Sequence, residues 1–96
     1  MVAYVIAQIR VHDPEGYKNY LAGVGRTLAS HKATIIGRSL EPEVLEGEWA
    51  VPRTVIIRFP TVEDARRWHS DPEYREVAEH RHRAADANLV LIEGAE

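Results

Sequence analysis

Two Asp-Pro-Glu triplets, Asp13-Pro14-Glu15 and Asp71-Pro72-Glu73, fix where helices begin in this chain and therefore where strands must stop. An aspartate caps the free amides of a first turn, proline suits the first helical position, and glutamate favours the positive end of the helix dipole. Before the first triplet, Ala3 to Val11 is rich in β-branched residues and reads as a strand. Alternation puts Val5, Ala7, Ile9 and Val11 on one face, and Tyr4, Ile6, Gln8 and Arg10 on the other. After the triplet, Tyr17, Tyr20, Leu21, Val24 and Leu28 recur at helical spacing. Gly23 and Gly25 each weaken that helix by about 1 kcal/mol relative to alanine, so it depends on packing its apolar stripe against a sheet.

Ala33 to Leu40 reads as a second strand, continuing past a bend at Pro42 through Glu43-Val44-Leu45-Glu46. Gly47 to Pro52 is a turn or hairpin tip. Arg53 to Phe59 is the clearest strand, stopped by Pro60. Thr61 starts the next helix, with Glu63 and Asp64 in its first turn and Val62, Ala65 and Trp68 along it. The triplet at Asp71 predicts a break and a fresh helix, with Tyr74, Val77, Ala78, Arg81 and Ala85 on its inner stripe. Asn88 ends it, and Leu89-Val90-Leu91-Ile92 is a final strand.

The order β-α-β-β-α-β makes this an α+β chain of the ferredoxin-like kind, one domain over residues 1–96. Its four-stranded antiparallel sheet should carry helices on one face only. The other face is bare, and its expected residues include Tyr4, Ile6, Ile36, Ile56, Leu89 and Leu91. Soluble monomers avoid exposing several hundred Å² of contiguous apolar surface. A homodimer paired through the open sheet face is the expected remedy, and it encloses a space between two sheets.

Composition removes several classes of function. A net charge of -3 lacks the basic excess of a nucleic-acid binder. No apolar run approaches the ~18 residues of a membrane span, and the N-terminus lacks signal-peptide features. With no cysteine there is no disulfide framework, zinc ribbon or thiol nucleophile, which fits a reducing cytoplasm. Gly23-Val24-Gly25 lies within a helix and is no phosphate loop, and there is no dinucleotide fingerprint. No cofactor is expected.

Several stretches resemble one family. They are Glu46-Gly47-Glu48-Trp49, Val55 to Pro60, Ala65-Arg66-Arg67-Trp68 through Asp71-Pro72-Glu73-Tyr74, and Ala87 to Gly94. In that order they resemble the DUF1330 family of small bacterial proteins, within the dimeric α/β-barrel superfamily, over about residues 3–94. The resemblance implies the fold and a dimer, but no single activity. Superfamily neighbours include monooxygenases, decarboxylating or dehydrating enzymes and plain ligand binders. At Arg58 relatives often look acidic, so no carboxylate role carries over to that position.

Gln8, Arg10, Arg38 and Arg58 are expected to face the inter-sheet space among apolar neighbours, a pattern suited to a small carboxylate or enolate-like anion. The alternative is that these arginines reach solvent or pair with Glu43, Glu46 or Glu93 across the dimer. His12 and His31, near strand–helix junctions, are candidate proton movers beside Arg58. His80 and His82 lie two apart on a helix and cannot chelate together, so no metal site is expected. Trp49 either packs the dimer or walls the ligand, and Tyr20 either packs with Tyr17 on its helix face or tips its hydroxyl into the cleft. Trp68 and Tyr74 read as core. Two functions stay open: a cofactor-independent enzyme on a small carboxylated, keto or aromatic compound, and a non-catalytic dimeric binding module.

Overall fold

The first strand becomes the middle of the sheet because one of its faces is purely aliphatic. In the computed structural model, which describes residues 1–95, β1 (Ala3–Val11) buries Ala3, Val5, Ala7 and Ile9 against the helices. It pairs antiparallel with β3 (Arg53–Phe59) on one side and β4 (Ala85–Glu93) on the other. β2 (Thr34–Ser39) adds to β3, giving the strand order β2-β3-β1-β4 of a ferredoxin-like fold. Helices α1 (Pro14–Ser30), α2 (Val62–Ser70) and α3 (Pro72–Ala84) complete the α+β arrangement.

The caps are those expected from sequence. The Asp13 carboxylate accepts from the Gly16 amide, Thr61 Oγ1 from the Asp64 amide, and Asp71 from the Glu73 amide. Asp71 is at once the last cap of α2 and the first of α3, so the helix breaks there as expected. Trp68 and Tyr74, either side of the break, are almost fully buried, with ring centroids 4.0 Å apart. Trp68 also packs on Phe59 of β3 at 5.4 Å. The corner thus seats two aromatics in the core rather than on the surface.

Three expectations are corrected. No strand forms over residues 43–46: β2 stops at Ser39, and the chain runs irregularly to Arg53. β4 begins at Ala85, not after Asn88, because Val11 pairs with Ala85 and the ladder continues unbroken to Ala3 with Glu93. Strand pairing overrides the helical preference of Ala85 and Ala87. That register turns Leu89 and Leu91 towards the helices, opposite Ala7 and Val5, and puts Val90 and Ile92 on the bare face instead. Four consecutive apolar residues carry no alternation from which to choose a face.

The third correction concerns Arg38. The β2–β3 register slips between Ile35 and Gly37, so that Gly37, not Ile36, lies opposite Ile56. Beyond this bulge Arg38 pairs with Val55, on the helix side of the sheet. Simple alternation from Ile36 places it on the other face. Tyr4, Ile6 and Ile56 remain on the bare face, as expected.

Candidate functional site

The single chain forms a pocket on the helix side of its sheet, the side opposite the bare face. A narrow cleft opens between α1 and the helix side of the sheet, with a cavity volume of about 80 Å³. Ala7, Ile9, Val55, Ile57 and Leu89 form its floor, and Leu21, Val24 and Leu28 of α1 form its roof. Tyr17, Tyr20 and Trp68 contribute aromatic wall. It is smaller than the ~300–1,000 Å³ of drug-sized ligand sites, so it admits only a small group without movement of its side chains.

Into this apolar lining come three arginines: Arg38, Arg53 and Arg81. No aspartate, glutamate or histidine lines the cleft among the described residues. Arg38 is exposed at the β2 edge, carried there by the bulge. Arg53 opens β3 opposite Ile9, and its guanidinium carbon sits 4.9 Å from the centre of the Tyr17 ring. Arg81 is buried, at 6% exposure, with its guanidinium carbon 5.6 Å from the Tyr20 ring centre. Its Nη2 donates to the Tyr74 hydroxyl at 3.4 Å, while Nε has no hydrogen-bond partner. The Tyr20 and Tyr74 hydroxyls share a hydrogen bond, also at 3.4 Å.

These groups hold unusual proton affinities. Burial pushes the Tyr20 hydroxyl well above its ordinary value, and neighbouring Tyr74 adds to the rise. Tyr17 is raised by burial too, though Arg53 pulls it back. For Arg81 burial works against the charge, but the tyrosine oxygens outweigh it, and the guanidinium holds its proton more tightly than usual. The inner end of the cleft is therefore a fixed positive charge beside two neutral phenols.

Of the candidate residues, Tyr20 and Arg38 line this cleft, and the others do not. Gln8, Arg10 and Arg58 lie on the bare sheet face, Arg58 directly between Tyr4 and Thr34. Arg10 donates to the carbonyl of Ala50, and Trp49 Nε1 donates to Thr54 Oγ1 at 3.0 Å, so the loop before β3 is tied down at that face. His31 caps α1, and its Nε2 lies 2.7 Å from an Asp71 carboxylate oxygen; it links helices and does not line the cleft. His12 is exposed at the β1–α1 junction. Arg53 and Arg81 escaped sequence reasoning. One signal was available for Arg81: it is a charged residue on the inner stripe, among Tyr74 and Ala78.

No cluster of His, Cys, Asp or Glu among the described residues could hold a metal ion, and no described helix is long and apolar enough to cross a membrane.

Residues 2–95 match the model of a domain of unknown function, DUF1330. The chain belongs to the DUF1330 family. No curated protein matches this DUF1330 chain. Solved structures similar to it include RPA0582 of Rhodopseudomonas palustris, a protein of unknown function. It is 19% identical, with a TM-score of 0.80 over 99% of this chain and 83% of that one. A dimeric ferredoxin-like protein of unknown function from Jannaschia has 9% identity and a TM-score of 0.73, over 98% and 100% of the two chains. A variant of SnoaB, a cofactor-independent oxygenase from Streptomyces nogalater, is 14% identical at a TM-score of 0.68, over 99% and 94%. At such identities the likeness is one of fold.

Proposed function

We propose that this protein is a homodimer that binds a small, mainly apolar molecule in the cleft between α1 and the sheet. The cleft itself carries the reading: a narrow, aromatic-walled apolar space with a few convergent polar groups. Binding is favoured over acid–base turnover, because no histidine or carboxylate lines the cleft among the described residues. A SnoaB-like fold gives a cofactor-independent reaction a structural precedent, but precedent in fold is not precedent in chemistry.

The dimer is supported by the apolar open face and by similar folds described as dimeric. Gln8, Arg10 and Arg58 then belong to the interface, not to the ligand.

A neutral dye that brightens in apolar surroundings, such as N-phenylnaphthylamine, tests the site. Leu21 is 54% exposed at the mouth, so Leu21→Trp should narrow the cleft without disturbing the core. Dye emission should rise with the wild-type protein and fall several-fold with Leu21→Trp. Equal emission from both proteins would remove the cleft as the binding site.

A further inference from the structure

We propose that the cleft takes a small carboxylate with a flat apolar body, and that Arg81 holds its charged end. This rests on the small-molecule reading above and specifies its ligand. The observation behind it is a buried cation without a counter-charge. Arg81 is 6% exposed, its Nε is unpartnered, and its one side-chain hydrogen bond, to Tyr74, is long at 3.4 Å. None of the ion pairs among the described residues includes Arg81, Arg53 or Arg38. Arginine is almost never left buried without a partner, because the desolvation of its charge is then uncompensated. A ligand that brings the missing anion removes that penalty, and the guanidinium fork matches the two oxygens of a carboxylate.

The rest of the cleft narrows the class. Its lining is otherwise hydrocarbon and aromatic, so a doubly charged phosphate would lose more hydration than one buried arginine restores. Tyr17 and Tyr20 favour a planar body edged against their rings. The Tyr20 hydroxyl, kept protonated by burial, is positioned near the same charge as a second donor.

The test is calorimetric titration of benzoate, cinnamate and naphthoate, each beside its primary amide, with thermal unfolding of the same samples. At least one acid should bind about 10- to 100-fold more tightly than its amide and raise the melting temperature. Arg81→Met, close in length and uncharged, should abolish that preference. It should also melt higher than the wild type without ligand, because a lone buried charge is gone. Arg81→Lys keeps the charge without the planar fork and should fall between the two, which gives a reading if the methionine variant does not fold. Equal binding of acids and amides overturns the carboxylate assignment but leaves the apolar cleft standing. Acid preference that survives Arg81→Met overturns the role of Arg81. If neither acids, amides nor the neutral dye bind, the small-molecule reading falls with it.

Discussion

At the scale of single residues, the core is organised by a few polar atoms that have found partners and one that has not. Trp68, wholly buried, donates its indole N–H to Thr27 Oγ1 at 3.1 Å, and Thr27 in turn donates to the Val24 carbonyl at 2.7 Å. Thr27→Val keeps the shape but strips the indole of its acceptor, which should cost about 1–3 kcal/mol in denaturant unfolding. Thr27→Ser retains the hydroxyl and should lose roughly 1 kcal/mol for the missing methyl. No loss in Thr27→Val, which keeps the methyl, would show that the hydrogen bond does not matter. Trp68 and Tyr74 were readable as core because helical spacing aligned them with other apolar residues. The threonine was not, because its partner lies 41 positions away along the chain. Arg81 lies between these cases. Periodicity placed it inward, but only the assembled cleft shows that it arrives there without an acid.

At the scale of elements, local chemistry was legible and pairing was not. Asp13, Thr61 and Asp71 act within three residues of themselves, so their caps could be read directly. The bulge at Ile35–Gly37 and the start of β4 depend on neighbouring strands, and there the alternation failed for Arg38, Leu89 and Leu91. The two glycines inside α1 divide in the same way. A β-carbon on Gly23 would come within 3.0 Å of a Val77 methyl, so this glycine lets α1 and α3 approach. A β-carbon on Gly25 would meet nothing within 4 Å. Gly25→Ala should therefore stabilise the protein by about 0.5–1 kcal/mol, while Gly23→Ala should forfeit that gain. A gain from both would mean that Val77 yields freely. The helices are further tied by His31 and Asp71, across which the α1 C-terminus meets the α2–α3 corner. The hydrogen bond from His31, then the Glu73 amide, holds the Asp71 carboxyl below its ordinary value of 3.8. Because the folded value is depressed, the stability it contributes is complete above the ordinary value and disappears as pH falls through the depressed one. Asp71→Asn keeps a capping side chain but cannot ionise. Its deficit relative to the wild type should be present at about pH 6 and shrink towards about pH 2. A deficit constant with pH would remove the ionic contribution.

At the scale of the molecule, the layers are unbalanced. The chain measures 33 × 31 × 15 Å, a slab one helix layer and one sheet layer thick. Across the open side runs the row Ile56, Ile6, Val90, with Tyr4 and Ile92 around it, and Val90 is 53% exposed. A sheet face within that 33 × 31 Å outline is on the scale of the roughly 800 Å² each partner gives to a standard stable interface. Trp49 and Arg10 hold the preceding loop against the same side, so loop and sheet present one continuous surface. In a two-fold pair each substitution on that surface is felt twice, which makes a charge there a sensitive probe. Because Val90 is largely exposed and faces away from the cleft, Val90→Lys should leave the single chain folded. Light scattering at micromolar concentration should give the wild type twice its 10.9 kDa chain mass, and the variant the mass of one chain with unchanged circular dichroism. Wild-type unfolding midpoints should rise with protein concentration, and those of the variant should not. A wild type that scatters as one chain would break the dimer while leaving the cleft intact, because α1, Arg81 and the floor of the cleft all come from the same chain. Ligand binding and assembly are thus separable: Val90→Lys should still bind the neutral dye, and Leu21→Trp should still dimerise.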